Sequence, residues 1–198
     1  MHAIGVLGNG VHLTFEYIHR ALRDGVIPGS AFAAVVANHP DVPLLASAGR
    51  LGIPAGYLNG ATPAEIDAQA LGWFRRYGVE FVILLGYGKK VGPALLDAYP
   101  DAILNVHAAP LPRFGGKGMV QPHAQAHVLA AGVRCSGPTI HLVDAEYDHG
   151  QILAHWPVRI RPGDTPESLN DRCNNAAMPL YVRAIRDFVH RLDHPDEF

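Results

Sequence analysis

Two side chains able to meet a developing charge stand two residues apart in the run Ala-Ile-Leu-Asn-Val-His: Asn105 and His107. A strand alternates its side chains, so residues two apart project from one face. An amide can donate to an oxygen that gains negative charge, and an imidazole can hold or move a proton near neutral pH. The following Ala108-Ala109-Pro110-Leu111-Pro112 cannot continue a central strand, so the pair falls where strand gives way to loop. The same two groups could equally satisfy loop backbone atoms. Spacing alone leaves both readings open.

Three further segments carry chemistry-bearing types. The loop 144–150 holds Asp144, Glu146 and Asp148. Its simplest reading is a solvated acidic turn, but a carboxylate brought beside His107 would orient the ring and favour its protonated form. Gly8-Asn9-Gly10 lies between a strand and a helix, where backbone N–H groups can reach an anion. A dinucleotide fingerprint would need a third glycine, and position 13 is Leu13. His123 and His127 share a helical face at a zinc-like spacing. The residues between them are Ala-Gln-Ala, with no glutamate base, so no metal is expected.

The elements that must position these groups alternate. Residues 2–7 read as a strand, 12–24 as a helix, 31–37 as a strand, 43–51 as a helix and 55–58 as a short strand. Thr62-Pro63-Ala64-Glu65 is a capping box that opens a helix over 63–77. The continuous apolar run 80–87 predicts a central strand covered on both faces. A short helix from Pro93 and a strand over 102–107 follow. This order predicts an α/β fold: a Rossmann-like, mostly parallel sheet with helices on both faces. After a loop over 108–122 and a helix over 123–131, strands at 138–143 and 151–160 suit an antiparallel C-terminal extension. Thr165 caps a last helix running to about 190, with an interruption expected near Pro179.

The chain has 198 residues, 48% hydrophobic and 17% charged, which predicts one domain with a sizeable core. A formal net charge of −2, without like-charge runs, gives no electrostatic reason to expect nucleic acid or an anionic membrane as partner. No stretch approaches the roughly 20 apolar residues of a membrane span. Met1–Gly10 lacks the basic start of a signal peptide, and the two cysteines, Cys135 and Cys173, read as reduced thiols. A cytoplasmic location is the expectation.

The segments AILNVHAAPLPRFGGKGM (102–119), SGPTIHLVDAEYDHGQIL (136–153) and PGDTPESL (162–169) together resemble the folate-dependent formyltransferases, nearest the branch that acts on phosphoribosylglycinamide. The first strand and its glycine turn, VVANHP and VILLGYGKKV extend the resemblance over nearly the whole chain. It implies 10-formyltetrahydrofolate as cosubstrate, a small-molecule amine as acceptor, and catalytic roles for Asn105, His107 and Asp148. Asp148 is implied over Asp144 because the family's acid precedes the glycine that re-enters a strand, here Gly150. Folate contacts are implied at Leu85, Gly86, Tyr87, Lys89, Lys90 and Val91, and at His141, Val143 and Asp144. Acceptor contacts are implied at Gly8, Asn9, Gly10, Val11 and His12, and at Lys117, Gly118 and Met119. On this reading 1–198 is one catalytic domain, with the acceptor phosphate on the side of 1–100 and the catalytic and folate side in 101–198. Relatives often associate as dimers, so a homodimer is expected.

The chain departs from the family pattern at three positions. Val11-His12 stands where a hydroxyl residue and an asparagine usually help hold phosphate. By an ungapped count from Asp148, Ala177 replaces an acidic residue that meets ribose hydroxyls. Gln125 stands where many relatives have a second histidine. Two of these changes concern the acceptor and none the catalytic trio. Other expectations remain: formylation of a different amine such as an amino-sugar nucleotide, hydrolysis of the donor, or folate binding without turnover. The enzymes of the first two kinds usually carry an additional C-terminal or N-terminal domain.

Overall fold

The computed structural model describes residues 1–10 and 12–197, with His12 and Glu197 described for their backbone only. Strands and helices alternate through β1 (His2–Gly8), α1 (His12–Arg23), β2 (Ser30–Ala37), α2 (Pro43–Arg50), β3 (Ala55–Tyr57), α3 (Pro63–Arg76), β4 (Phe81–Leu85), α4 (Pro93–Ala98) and β5 (Ile103–His107). The chain continues with α5 (His123–Ala130), β6 (Cys135–Ser136), β7 (Thr139–Leu142), β8 (Ile152–His155), β9 (Val158–Arg159) and α6 (Pro166–Asp193), and a 3-10 turn covers Pro195–Glu197. Seven strands form one sheet in the order β3-β2-β1-β4-β5-β7-β8. The first five are parallel, and β7 and β8 are antiparallel additions. Strand order reverses between β1 and β4, which opens a crevice beyond their carboxyl ends.

Burial explains the central strands. All five residues of β4 are buried, because helices cover both sides of the sheet. On one side Ile4, Val6, Phe15, Ile18 and Ile83 pack with the apolar face of α6; on the other Leu7, Val36, Ile66, Phe74 and Leu84 pack under α3 and α4. The Thr62–Glu65 capping box forms as predicted, and a second joins Thr165 and Ser168 at the start of α6.

Three expectations are corrected. The strand at 80–87 ends at Leu85, because Gly86 turns away at φ +66°. The run 151–160 splits into β8 and β9 around Trp156-Pro157, and β9 pairs with β6 in a separate two-stranded sheet. Pro157 has no N–H to continue the ladder. The last helix passes through Pro179 to Asp193 without interruption. Losing one helical bond at a proline is offset there by the burial of Leu180, Tyr181, Ile185 and Val189 against the sheet. The Tyr181 hydroxyl lies 2.8 Å from the Leu104 carbonyl oxygen and 3.3 Å from that of Leu84, which braces β4 and β5 from behind.

An ionic clamp joins the first strand to the last helix. His2 Nδ1 is 2.8 Å from Glu80 Oε2, and Nε2 is 2.9 Å from Asp193 Oδ1. Burial alone would push the ring's pKa down, but the two carboxylates outweigh it and hold the pKa above 6.5. A raised folded-state pKa stabilises fully below the unfolded value and ceases to do so as pH rises through the folded value. His2→Ala should therefore lower Tm more at about pH 5.5 than at about pH 8.5. Thermal melts of both proteins at the two pH values check this, and an equal loss at both would dismiss the clamp.

Candidate active site

The site begins with strand register. Leu84 on β4 pairs with Asn105 on β5, and Asn105 pairs with His141 on β7. Paired residues share a face, so these three side chains form a row across the sheet. Asn105 Nδ2 donates to His141 Nε2 at 3.0 Å, and His141 Nδ1 donates to the Leu142 carbonyl at 2.8 Å. Those partners assign the His141 tautomer and leave the second amide hydrogen of Asn105 for the space in front of the sheet. His107, 7% exposed, donates from Nε2 to the Phe114 carbonyl at 2.7 Å. Its Nδ1 lies 3.5 Å from Asp148 Oδ2.

Asp148 arrives from the loop between β7 and β8 in the left-handed region, at φ +54°. Asp is among the residues that tolerate this conformation. The neighbouring segment makes room: a side chain at Gly115 would put its Cβ 2.8 Å from Asp148 Cβ and 2.4 Å from Leu111 Cδ2. The Gly116 amide donates to Asp148 Oδ2 at 3.0 Å, and Asp148 Oδ1 lies 3.6 Å from His141 Nε2. The acidic loop is therefore not a solvated turn at this residue.

Burial would push the Asp148 carboxyl up, but His141, His107 and the Gly116 amide hold it below its ordinary value. Burial is also the largest influence on His107 and lowers it, opposed by Asp148 and the Phe114 carbonyl and reinforced by His141. The net result lies below 6.5. Asp148 does favour the protonated ring, as expected, but the expected protonated state of His107 is corrected: desolvation outweighs a carboxylate held at 3.5 Å. In the free protein at neutral pH, His107 is mainly neutral, with Nδ1 unprotonated.

These groups floor a cleft of about 680 Å³. Of the residues singled out from sequence, Gly10, Gly86, Tyr87, Lys89, Lys90, Val91, Asn105, His107, Lys117, Gly118, Met119, His141, Val143, Asp144 and Asp148 line it. Leu85 does not; it is fully buried in the core, and Leu84 faces the cleft instead, since adjacent strand residues point oppositely. Gly8 and Asn9 also lie off the wall, and Asn9 Oδ1 accepts from the Asn38 amide at 3.1 Å, tying two loops together. Val11 lies outside the described residues, as does the side chain of His12. Asp144 lines the mouth while its carboxylate holds His149 at 2.7 Å. Burial, with the charges of Asp67 and Tyr147, pushes Tyr87 up to about 12.

Sequence reading missed Thr14, Gln121 and Asn174, which line the cleft beside Ala177. Asn174 Nδ2 donates to Gln121 Oε1 at 3.1 Å across 53 residues of chain, a pairing that no local pattern announces. Gln125 is buried behind the site, donating to the Ala108 carbonyl at 2.6 Å and accepting from Ser136 Oγ at 2.7 Å. His127 Nδ1 bonds the His123 carbonyl at 2.9 Å. Among the described residues no group of three or more His, Cys, Asp or Glu is arranged to hold a metal, and no helix is long and apolar enough to cross a membrane.

Comparison with known proteins decides the family. Residues 3–185 match the formyl transferase family. The chain belongs to the formyl transferases. Phosphoribosylglycinamide formyltransferase, chloroplastic, of Arabidopsis thaliana is 39% identical over 92% of this formyl transferase chain and 63% of its own length. Phosphoribosylglycinamide formyltransferase of Bacillus subtilis is 29% identical over 96% of this chain and 95% of its own. The crystal structure of glycinamide ribonucleotide transformylase 1 from Symbiobacterium toebii has a TM-score of 0.89 at 34% identity, covering 96% of this chain and 88% of that one. This formyl transferase thus spans about three fifths of its Arabidopsis relative's length, 63%. Because that relative is named as chloroplastic, cellular compartment does not follow from the family.

The shared burial of His107 and Asp148 gives a direct test of their coupling. Asp148→Asn removes the charge that opposes desolvation, so the His107 pKa should fall further below its wild-type value. NMR titration of the ring reads it, and an unchanged or higher value would show that the carboxylate does not act on His107.

Proposed function

We propose that this chain transfers a formyl group from 10-formyltetrahydrofolate to a primary amine, phosphoribosylglycinamide or a similar phosphorylated amine, in purine biosynthesis. The observation that carries this reading is the convergence of Asn105, His107 and Asp148 on the floor of one cleft. Membership of the formyl transferases supports it, as do relatives named for phosphoribosylglycinamide. The cleft volume of about 680 Å³ lies within the usual range for small-molecule sites.

The folate supplies the formyl carbon and takes up a proton in its place. As the amine nitrogen bonds to that carbon, negative charge builds on the formyl oxygen, and the free N–H of Asn105 is the donor aimed at it. His141 fixes the Asn105 amide so that it need not reorient during reaction. The amine must lose a proton as the carbon–nitrogen bond to folate breaks. His107 Nδ1 and the ionised Asp148 carboxylate together form a place to receive that proton, and protonation of the ring strengthens their pairing at the moment charge develops. Leu84, Tyr87, Val91 and Val143 provide apolar walls for a flat ring, with Lys89 and Lys90 at the exposed rim for the folate's glutamate tail. Gly10, Lys117, Gly118 and Met119 are the acceptor contacts of this reading. Neutral Asn174, Gln121 and Ala177 complete the wall, so acceptor hydroxyls would meet amides rather than a carboxylate.

Loss of donor absorbance should require an amine, with phosphoribosylglycinamide the best of a panel. Turnover without any acceptor would instead identify a hydrolase. Asn105→Ala should reduce kcat by roughly 10²–10³-fold while leaving the melting transition intact. Unaltered turnover in that variant would remove Asn105 from the mechanism.

A further inference from the structure

The loop from Gly86 to Gly92 forms one wall of the cleft, and what holds it in place lies outside the cleft. Gly86 to Val91 all contribute to the lining, yet Gly88, Lys89 and Lys90 are exposed, and Gly86 and Gly88 give the backbone wide freedom. Val91 is buried in the same apolar cluster as Ile66 and Leu95, which anchors that end of the loop. Directly after it, Gly92 is the N-cap of α4 and has no side chain to cap the helix with.

On α3, Asp67 faces this junction. The residue is 1% exposed, an uncommon position for an acid. Its Oδ1 has no hydrogen-bond partner among the described residues. Its Oδ2 lies so close to Gly92 that a Cβ added there would come within 1.8 Å of it. Burial raises the Asp67 pKa, and the Gly92 backbone amide beside it acts in the opposite direction. The carboxyl's charge is also felt at Tyr87, at the other end of the same loop. A buried acid with half its bonding capacity unused is costly unless something depends on it.

We propose that Asp67 is a positioning residue for the folate side of the cleft: its buried carboxyl holds the backbone at Gly92 and so sets the loop 86–92 that folate packs against. This rests on the formyl-transfer reading for the identity of the ligand, but the positioning itself does not. Asp67 itself does not line the cleft.

The test uses the full chain with Asp67→Ala and Asp67→Asn. Asp67→Ala should raise KM for 10-formyltetrahydrofolate roughly tenfold, the loss expected for one hydrogen bond to a charged group, with kcat and the KM for the amine within about threefold of wild type. Asp67→Asn keeps an oxygen for the Gly92 amide and should restore most of the folate KM. Hydrogen exchange read on the same proteins should speed up in residues 86–92 of Asp67→Ala and remain unchanged in β1 and β4. A folate KM unchanged in Asp67→Ala, or a loss spread equally over kcat and both KM values, would overturn the proposal. If wild type shows no formyl transfer, the functional reading falls by itself. Exchange then decides the positioning role: selective acceleration in 86–92 supports it, and uniform or absent acceleration overturns it.

Discussion

A carboxylate kept out of water beside two imidazoles is the constraint around which the site is built. Asp148 has a side chain 13% exposed, and burying such a charge is unfavourable unless donors surround it. The Gly116 amide donates to it, and the His107 and His141 rings flank it, each delivered by a different element. The loop after β5 bends back so that Phe114 meets His107 and Gly116 meets Asp148. The antiparallel strand β7 brings His141 alongside Asn105. Every part of this arrangement would be redundant if Asp148 were a surface residue.

The low dielectric has two opposing effects. It strengthens the pairing between ring and carboxylate once a proton is present, and it disfavours the charged ring before that. The resting state follows: His107 neutral, Asp148 ionised, Asn105 fixed by His141. Charge complementarity in this cluster therefore rises when the His107 ring takes up a proton.

The sequence made some of this legible and hid the rest for identifiable reasons. Asn105 and His107 were visible because a two-residue spacing at a strand end has a definite geometric meaning. The parallel core was visible because continuous apolar runs such as 81–85 have no other comfortable home. Leu84 and Leu85 could not be told apart, since a strand buried on both faces carries no polar residue to reveal its parity. His141 was singled out as a ligand contact, but its bond to Asn105 depends on the register between β5 and β7, which neither strand encodes alone. The net direction of the His107 shift depends on how deeply the ring is buried, and residue type says nothing of that. Pro157 marks the split between β8 and β9, but the apolar pattern on either side of it reads as one strand.

The antiparallel strand also closes a border. Without β7, the strand carrying Asn105 and His107 would be the outermost of the sheet, its row of free N–H and C=O groups open to pairing with another molecule. β7 takes up those groups, and β8 becomes the new margin at a distance from the chemistry. The strand that covers this border is also the one that sets His141 beside Asn105.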